Sequence, residues 1–149
     1  MEPLVTESVT YTEVCGVCGA RTKYVGTQTL VDGRLRWDVE WSCAACGSTA
    51  AACGGDMPAA RREQMLAEYG PTRLRIGGAV AAADRLAVLR VLRKALGLDP
   101  TGAKAKLRAV VDGDVTGTRP EVERLARRLR DAGVAAEAAP PRKEHADPA

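Results

Sequence analysis

The sequence predicts an α+β protein made of two small units, not one large core. Three observations carry that expectation. Two copies of a Cys-x-x-Cys-Gly motif bracket a stretch of alternating apolar and charged residues in the first third. The second half changes to the three-to-four-residue apolar spacing of helices. Aromatic residues are only 3% of the 149, and Phe is absent. A single core would therefore rest on Ala, Val and Leu, and two small cores, one stapled by cysteines, fit the composition better.

Residues 1–8 read as a loose lead-in, and 9–57 as the cysteine unit. Val9, Tyr11 and Glu13 have the spacing of one strand, and residues 24–31 supply a second. Asp32-Gly33 is a two-residue hairpin signal. Beyond it, Leu35, Trp37, Val39 and Trp41 alternate with Arg34, Arg36, Asp38 and Glu40, the period of a half-buried strand. A two-residue turn sets Leu30 opposite Leu35, Gln28 opposite Trp37, and Tyr24 opposite Trp41. That register carries Cys18 and Cys43 to the same end of the hairpin.

The cysteines then acquire a meaning. Cys15-Gly16-Val17-Cys18-Gly19 and Cys43-Ala44-Ala45-Cys46-Gly47 each place two thiolates on one tight turn. The following glycine permits the left-handed backbone that aims amides at sulfur. Cys15, Cys18, Cys43 and Cys46 together offer the tetrahedral sulfur set that zinc favours. One structural Zn2+ per chain is expected, because four thiolates leave no open position for catalysis. Such a hairpin with two cysteine knuckles resembles a zinc ribbon. A dithiol redox pair is the competing use of Cys-x-x-Cys, but two matched pairs at hairpin spacing favour metal. Cys53 is left over and is expected to be a bystander.

Pro58 opens and Gly70 closes a short helix, so residues 58–71 are read as a helical linker. The second unit spans 72–139. Leu74-Arg75-Ile76 is a short strand, and Asp84 caps a helix over 85–96. Ala103, Leu107, Val110 and Val111 mark a second helix over 103–111, ended by Gly113. Pro120 starts a third, with Val122, Leu125, Ala126 and Leu129 as its apolar stripe. Residues 134–138 form a last strand. The order is β-α-α-β-α-β or β-α-α-α-β. Residues 140–149, with the single histidine His145, read as a disordered tail.

Three stretches of this unit carry a resemblance. They are residues 84–98, the pair Ala103-Lys104, and residues 122–137 with their Leu-x-x-x-Leu-x-x-Ala-Gly ending. The unit resembles the C-terminal domain of the bacterial ribosomal stalk protein, a small α/β sandwich of three helices on a short sheet. The resemblance implies a docking module that recruits translational GTPases through its first two helices. Matched position by position, it implies partner contacts at Arg85, Leu86, Leu89, Arg90, Arg93 and Lys104. A helical count agrees with this, setting Leu86, Leu89, Arg90 and Arg93 on an edge away from Val88, Val91, Leu92 and Ala95. The stalk family's N-terminal dimerisation segment is replaced here by the cysteine unit. Its Gly-Leu-Gly-Leu-Lys turn is also altered, to Gly97-Leu98-Asp99-Pro100-Thr101-Gly102.

Charge separates the two units. Residues 1–57 hold four basic and seven acidic side chains, against eighteen and twelve in the remainder. An acidic first unit is unsuited to phosphate backbones, and thiolate-bound zinc would make it more so. The basic second unit is the part suited to nucleic acid, the alternative partner. No apolar run reaches the roughly 20 residues of a membrane helix, and no secretory signal is visible. The expected setting is the cytoplasm. With no phosphate loop or nucleophile motif, the expected role is non-enzymatic, at the ribosome or on a translational GTPase.

Overall fold

A computed structural model describes residues 2–77 and 82–141. The first sheet is antiparallel, with β1 (Val5–Val14), β2 (Arg21–Val31), β3 (Arg34–Ser42) and β4 (Thr49–Gly55) in that order across it. The β2–β3 turn has Asp32 at φ 49° and Gly33 at φ 72°, the paired positive angles of a tight hairpin. Leu30, Gln28 and Tyr24 pair with Leu35, Trp37 and Trp41, the register read from the sequence. Two features differ from that reading. The lead-in is not loose throughout, because Val5 to Ser8 belong to β1, where Val5 faces Leu30. A fourth strand follows the second knuckle, in a segment of Ala and Gly that has little strand preference of its own.

One face of this sheet is covered. Trp37 lies across Gly26, where an added Cβ would stand 2.2 Å from the indole ring. Trp37 packs with Val9 and with Met65 of α1 (Ala59–Tyr69). Helix α1 runs from Pro58 to Gly70 as expected, but it is packed against β1 along its length, and Met65 is fully buried. Gln64 donates to the Thr10 carbonyl, and the Tyr69 hydroxyl donates to that of Ser8.

The second sheet has the order β6-β5-β7, with β5 (Thr72–Ile76) antiparallel to both β6 (Thr116–Gly117) and β7 (Ala136–Ala139). Helices α2 (Ala82–Leu96), α3 (Pro100–Asp112) and α4 (Arg119–Asp131) complete the order β-α-α-β-α-β. Helix α2 begins at Ala82, so Asp84 sits in its first turn instead of capping it. Helix α3 begins earlier than 103, because Asp99 caps it by accepting from the Gly102 amide and Pro100 fits its first turn. Helix α4 opens on a capping box between Thr118 and Glu121. Leu74, Val88, Leu92, Val110, Ala126 and Leu129 lie at the heart of the second core. The expected tail beyond Pro141, His145 included, lies outside the described residues.

Helix α4 belongs to both units. Its apolar stripe enters the second core, while its start meets the first sheet. There the Thr118 hydroxyl donates to Gln28 in a buried contact, and Glu7 accepts from the Arg119 amide at 2.9 Å. Arg127 donates to the Pro3 carbonyl, and Arg62 of α1 clasps Glu121. Several of these polar groups thus find partners across the two units as well as within their own.

Candidate metal centre

The hairpin register delivers the two cysteine turns to one end of the first sheet, as the paired spacing requires. They are near copies. The Cys15 amide donates to the Ala20 carbonyl and the Gly19 amide to that of Cys15; Cys43 repeats both bonds with Ser48 and Gly47. Gly19 at φ 75° and Gly47 at φ 73° close the turns in the left-handed conformation that glycine adopts without strain.

All four sulfurs lie within 4.8 Å of one another. Cys15 and Cys46 are 3.8 Å apart, and Cys18 and Cys43 are 3.7 Å apart. A disulfide would need about 2.05 Å, so these are separate thiols. A tetrahedron with metal–sulfur bonds of about 2.3 Å has edges of about 3.8 Å. Cys15, Cys18, Cys43 and Cys46 could therefore hold one metal ion without rearrangement. An ion held by all four thiolates would have no position left for water or substrate.

The surroundings of the cluster treat its thiols unequally. A hydrogen bond from the Thr22 hydroxyl, then the Cys46 amide, draws Cys43 down to about 6. The Ser48 hydroxyl and amide lower Cys46, whose sulfur is 3.2 Å from the Ser48 oxygen. The Ala20 amide pulls Cys18 down, but desolvation and the thiols of Cys43, Cys46 and Cys15 prevail, and Cys18 is pushed up to about 11. Four sulfurs this close cannot all ionise unaided; a cation among them would remove that limit. Thr22 and Ser48 carry no motif that sequence reading would single out. Ser48 acts from two residues after Cys46, and Thr22 reaches Cys43 across the β2–β3 pairing. Cys53, exposed on β4, stands outside the cluster.

The second set of candidates falls on α2 and α3. Arg85, Leu86, Arg90 and Arg93 are exposed, and Leu89 is half-buried, while Val88 and Leu92 are fully buried. The edge deduced from helical spacing is thus a surface, with Leu86 53% exposed between arginines. Lys104 is exposed on α3, one turn behind the Asp99 cap.

No protein-family model, curated protein or solved structure matches this chain. Among the described residues, no helix is long and apolar enough to cross a membrane.

Proposed function

We propose that this chain is a zinc-stapled, non-enzymatic interaction protein of the cytoplasm that docks on a translational GTPase or the ribosome through the outer edge of α2. The edge itself carries the reading. Leu86 stands exposed beside Arg85, Arg90 and Arg93, although buried alternatives for an apolar side chain lie one turn away. An apolar contact ringed by cations suits an acidic, partly apolar protein surface. The β-α-α-β-α-β order and the three helices on a short sheet support the likeness to the stalk C-terminal domain. The four sulfurs favour zinc, because a d10 ion accepts tetrahedral thiolates and has no redox chemistry of its own. In this reading the ribbon-like first unit is the rigid body from which the edge is presented.

Arg90→Glu combined with Arg93→Glu tests the docking edge. Both side chains are exposed, so the fold should be unchanged to within about 0.5 kcal/mol. Affinity for purified translational GTPases should fall by at least about tenfold and the association rate should drop most. Unchanged GTPase binding together with lost binding to RNA or DNA would instead favour the nucleic-acid alternative, with a salt slope set by the phosphates neutralised.

A further inference from the structure

Helix α4 carries arginines in two different situations. Arg127 and Arg130 share Glu123, and Arg127 also meets Glu2. Arg124 and Arg128, one turn apart on the opposite flank, form no ion pair among the described residues, and neither does Lys106 of α3. All three are half-buried, and all three line a single cleft of about 230 Å³. The cleft continues along α2, where Lys94 and Asp131 join it.

Its charge is lopsided. Five cations (Arg62, Lys94, Lys106, Arg124 and Arg128) face two carboxylates, Glu121 and Asp131. Glu121 is already committed to Arg62 and to the start of α4. Like charges at i and i+4 repel, and burial followed by the Arg128 charge holds Arg124 below its ordinary range. Arg124 spends one donor on the Gly33 carbonyl of the hairpin turn, at 3.2 Å, which fixes its guanidinium at the cleft wall. Its other donors are uncommitted to protein groups. The floor is apolar, built from Leu35, Val122 and Leu125, with Leu96 exposed at the lip.

We propose that this cleft binds a small phosphate-bearing molecule with a flat apolar body, a nucleotide in chemical class, its phosphates held by Lys106, Arg124 and Arg128. Three unpaired cations call for more charge than one carboxylate carries, and a terminal phosphate has about −1.5 to −2 at neutral pH. The guanidinium fork matches phosphate oxygens two at a time. The leucines of the floor and lip then receive the body. A cleft walled by α2, α3, α4 and the hairpin turn suits a compact ligand better than a continuous strand of nucleic acid. Val91 and Ala95 face this cleft from the flank of α2 turned away from Leu86 and Arg93, whereas Lys94 follows Arg90 by one turn, so the cleft borders the docking edge but is lined by none of its residues.

The test is calorimetric titration of the full zinc-loaded chain with ADP, pyrophosphate and adenosine, zinc content being checked before and after. ADP should bind, pyrophosphate more weakly, and adenosine most weakly. Arg128→Gln and Lys106→Gln, on different helices, should each weaken ADP by about tenfold or more. Arg90→Glu with Arg93→Glu should leave ADP binding intact, with circular dichroism confirming that every variant folds. The proposal is overturned by absence of ADP binding at millimolar concentration, or by binding that both cleft variants retain. Pyrophosphate binding as tightly as ADP would overturn the role of the apolar floor. Binding of single-stranded RNA but not ADP would overturn the choice of a small ligand.

Discussion

The two sheets of this molecule are held by different means. The second sits on a continuous apolar core from three helices, in which Leu74, Leu92 and Leu129 are fully buried. The first has a smaller buried cluster of Val9, Trp37 and Met65, the last supplied by α1, with Val5 and Leu30 also buried on its strands. Its remaining support comes from its two ends. At one end four thiols stand at metal-binding distance. At the other, Gln28 and Glu7 satisfy the first turn of α4. A sheet with a small core and a four-thiol cluster is the part of the molecule that a metal ion would stabilise, whereas the second unit has a larger apolar core of its own.

Removing the metal should therefore separate the two most sharply. With Cys43→Ser, or under a strong chelator, amides of β2 and β3 should lose their protection from hydrogen exchange while those of α2 keep most of theirs. The effect should be large, since metal binding supplies about 10–16 kcal/mol in small zinc-dependent domains. Equal loss of protection in both regions would mean that the contrast is false and the chain melts as one unit. The converse variant is Leu92→Ala. It should cost about 2–5 kcal/mol by opening a cavity in the second core, yet leave metal content at one ion per chain. Zinc loss in parallel with the drop in thermal stability would contradict independent support.

A smaller change sharpens the description of the first core. Gly26→Ala drives a methyl group into the Trp37 ring, and the ring has Val9 and Met65 behind it. The expected cost is about 1–3 kcal/mol by chemical denaturation, as for overpacking in general. A neutral result would show that Trp37 moves aside freely. Last comes Cys53→Ser, for which the expected change is within about 0.5 kcal/mol, with metal stoichiometry untouched. Cys53 is exposed and outside the cluster, so metal analysis showing a loss there would redraw the ligand set.

Much of the first unit was legible because its signals are local. The Asp32-Gly33 turn fixes the hairpin register, and that register alone brings Cys18 and Cys43 together. Strand β4 was not legible, since Thr-Ala-Ala-Ala-Cys-Gly-Gly has weak strand preference and pairs only because β3 offers an open edge. Val5 reads as a strand residue only once Leu30 is opposite it. The start of α3 is written in Asp99-Pro100, a cap followed by a first-turn proline, three residues before the apolar spacing that begins at Ala103. The sharing of α4 between units had no local signature. The apolar stripe of α4 announces one partner, and its second partner is recognised through Thr118 and Arg119, residues that also read as an ordinary helix start. The cation cleft was hidden for the same reason, because Lys106 of α3 meets Arg124 and Arg128 of α4 only when the helices are assembled.

The two knuckles also divide their sulfurs by depth, Cys15 and Cys43 being buried and Cys18 and Cys46 exposed. The site consequently has an inner and an outer door. A chelator or oxidant arriving from solvent meets one sulfur of each knuckle first, and the inner pair would keep its grip on a bound ion while the outer pair exchanged. Departure of an ion bound there would then be stepwise, its residence time governed by two exposed sulfurs and its affinity by all four.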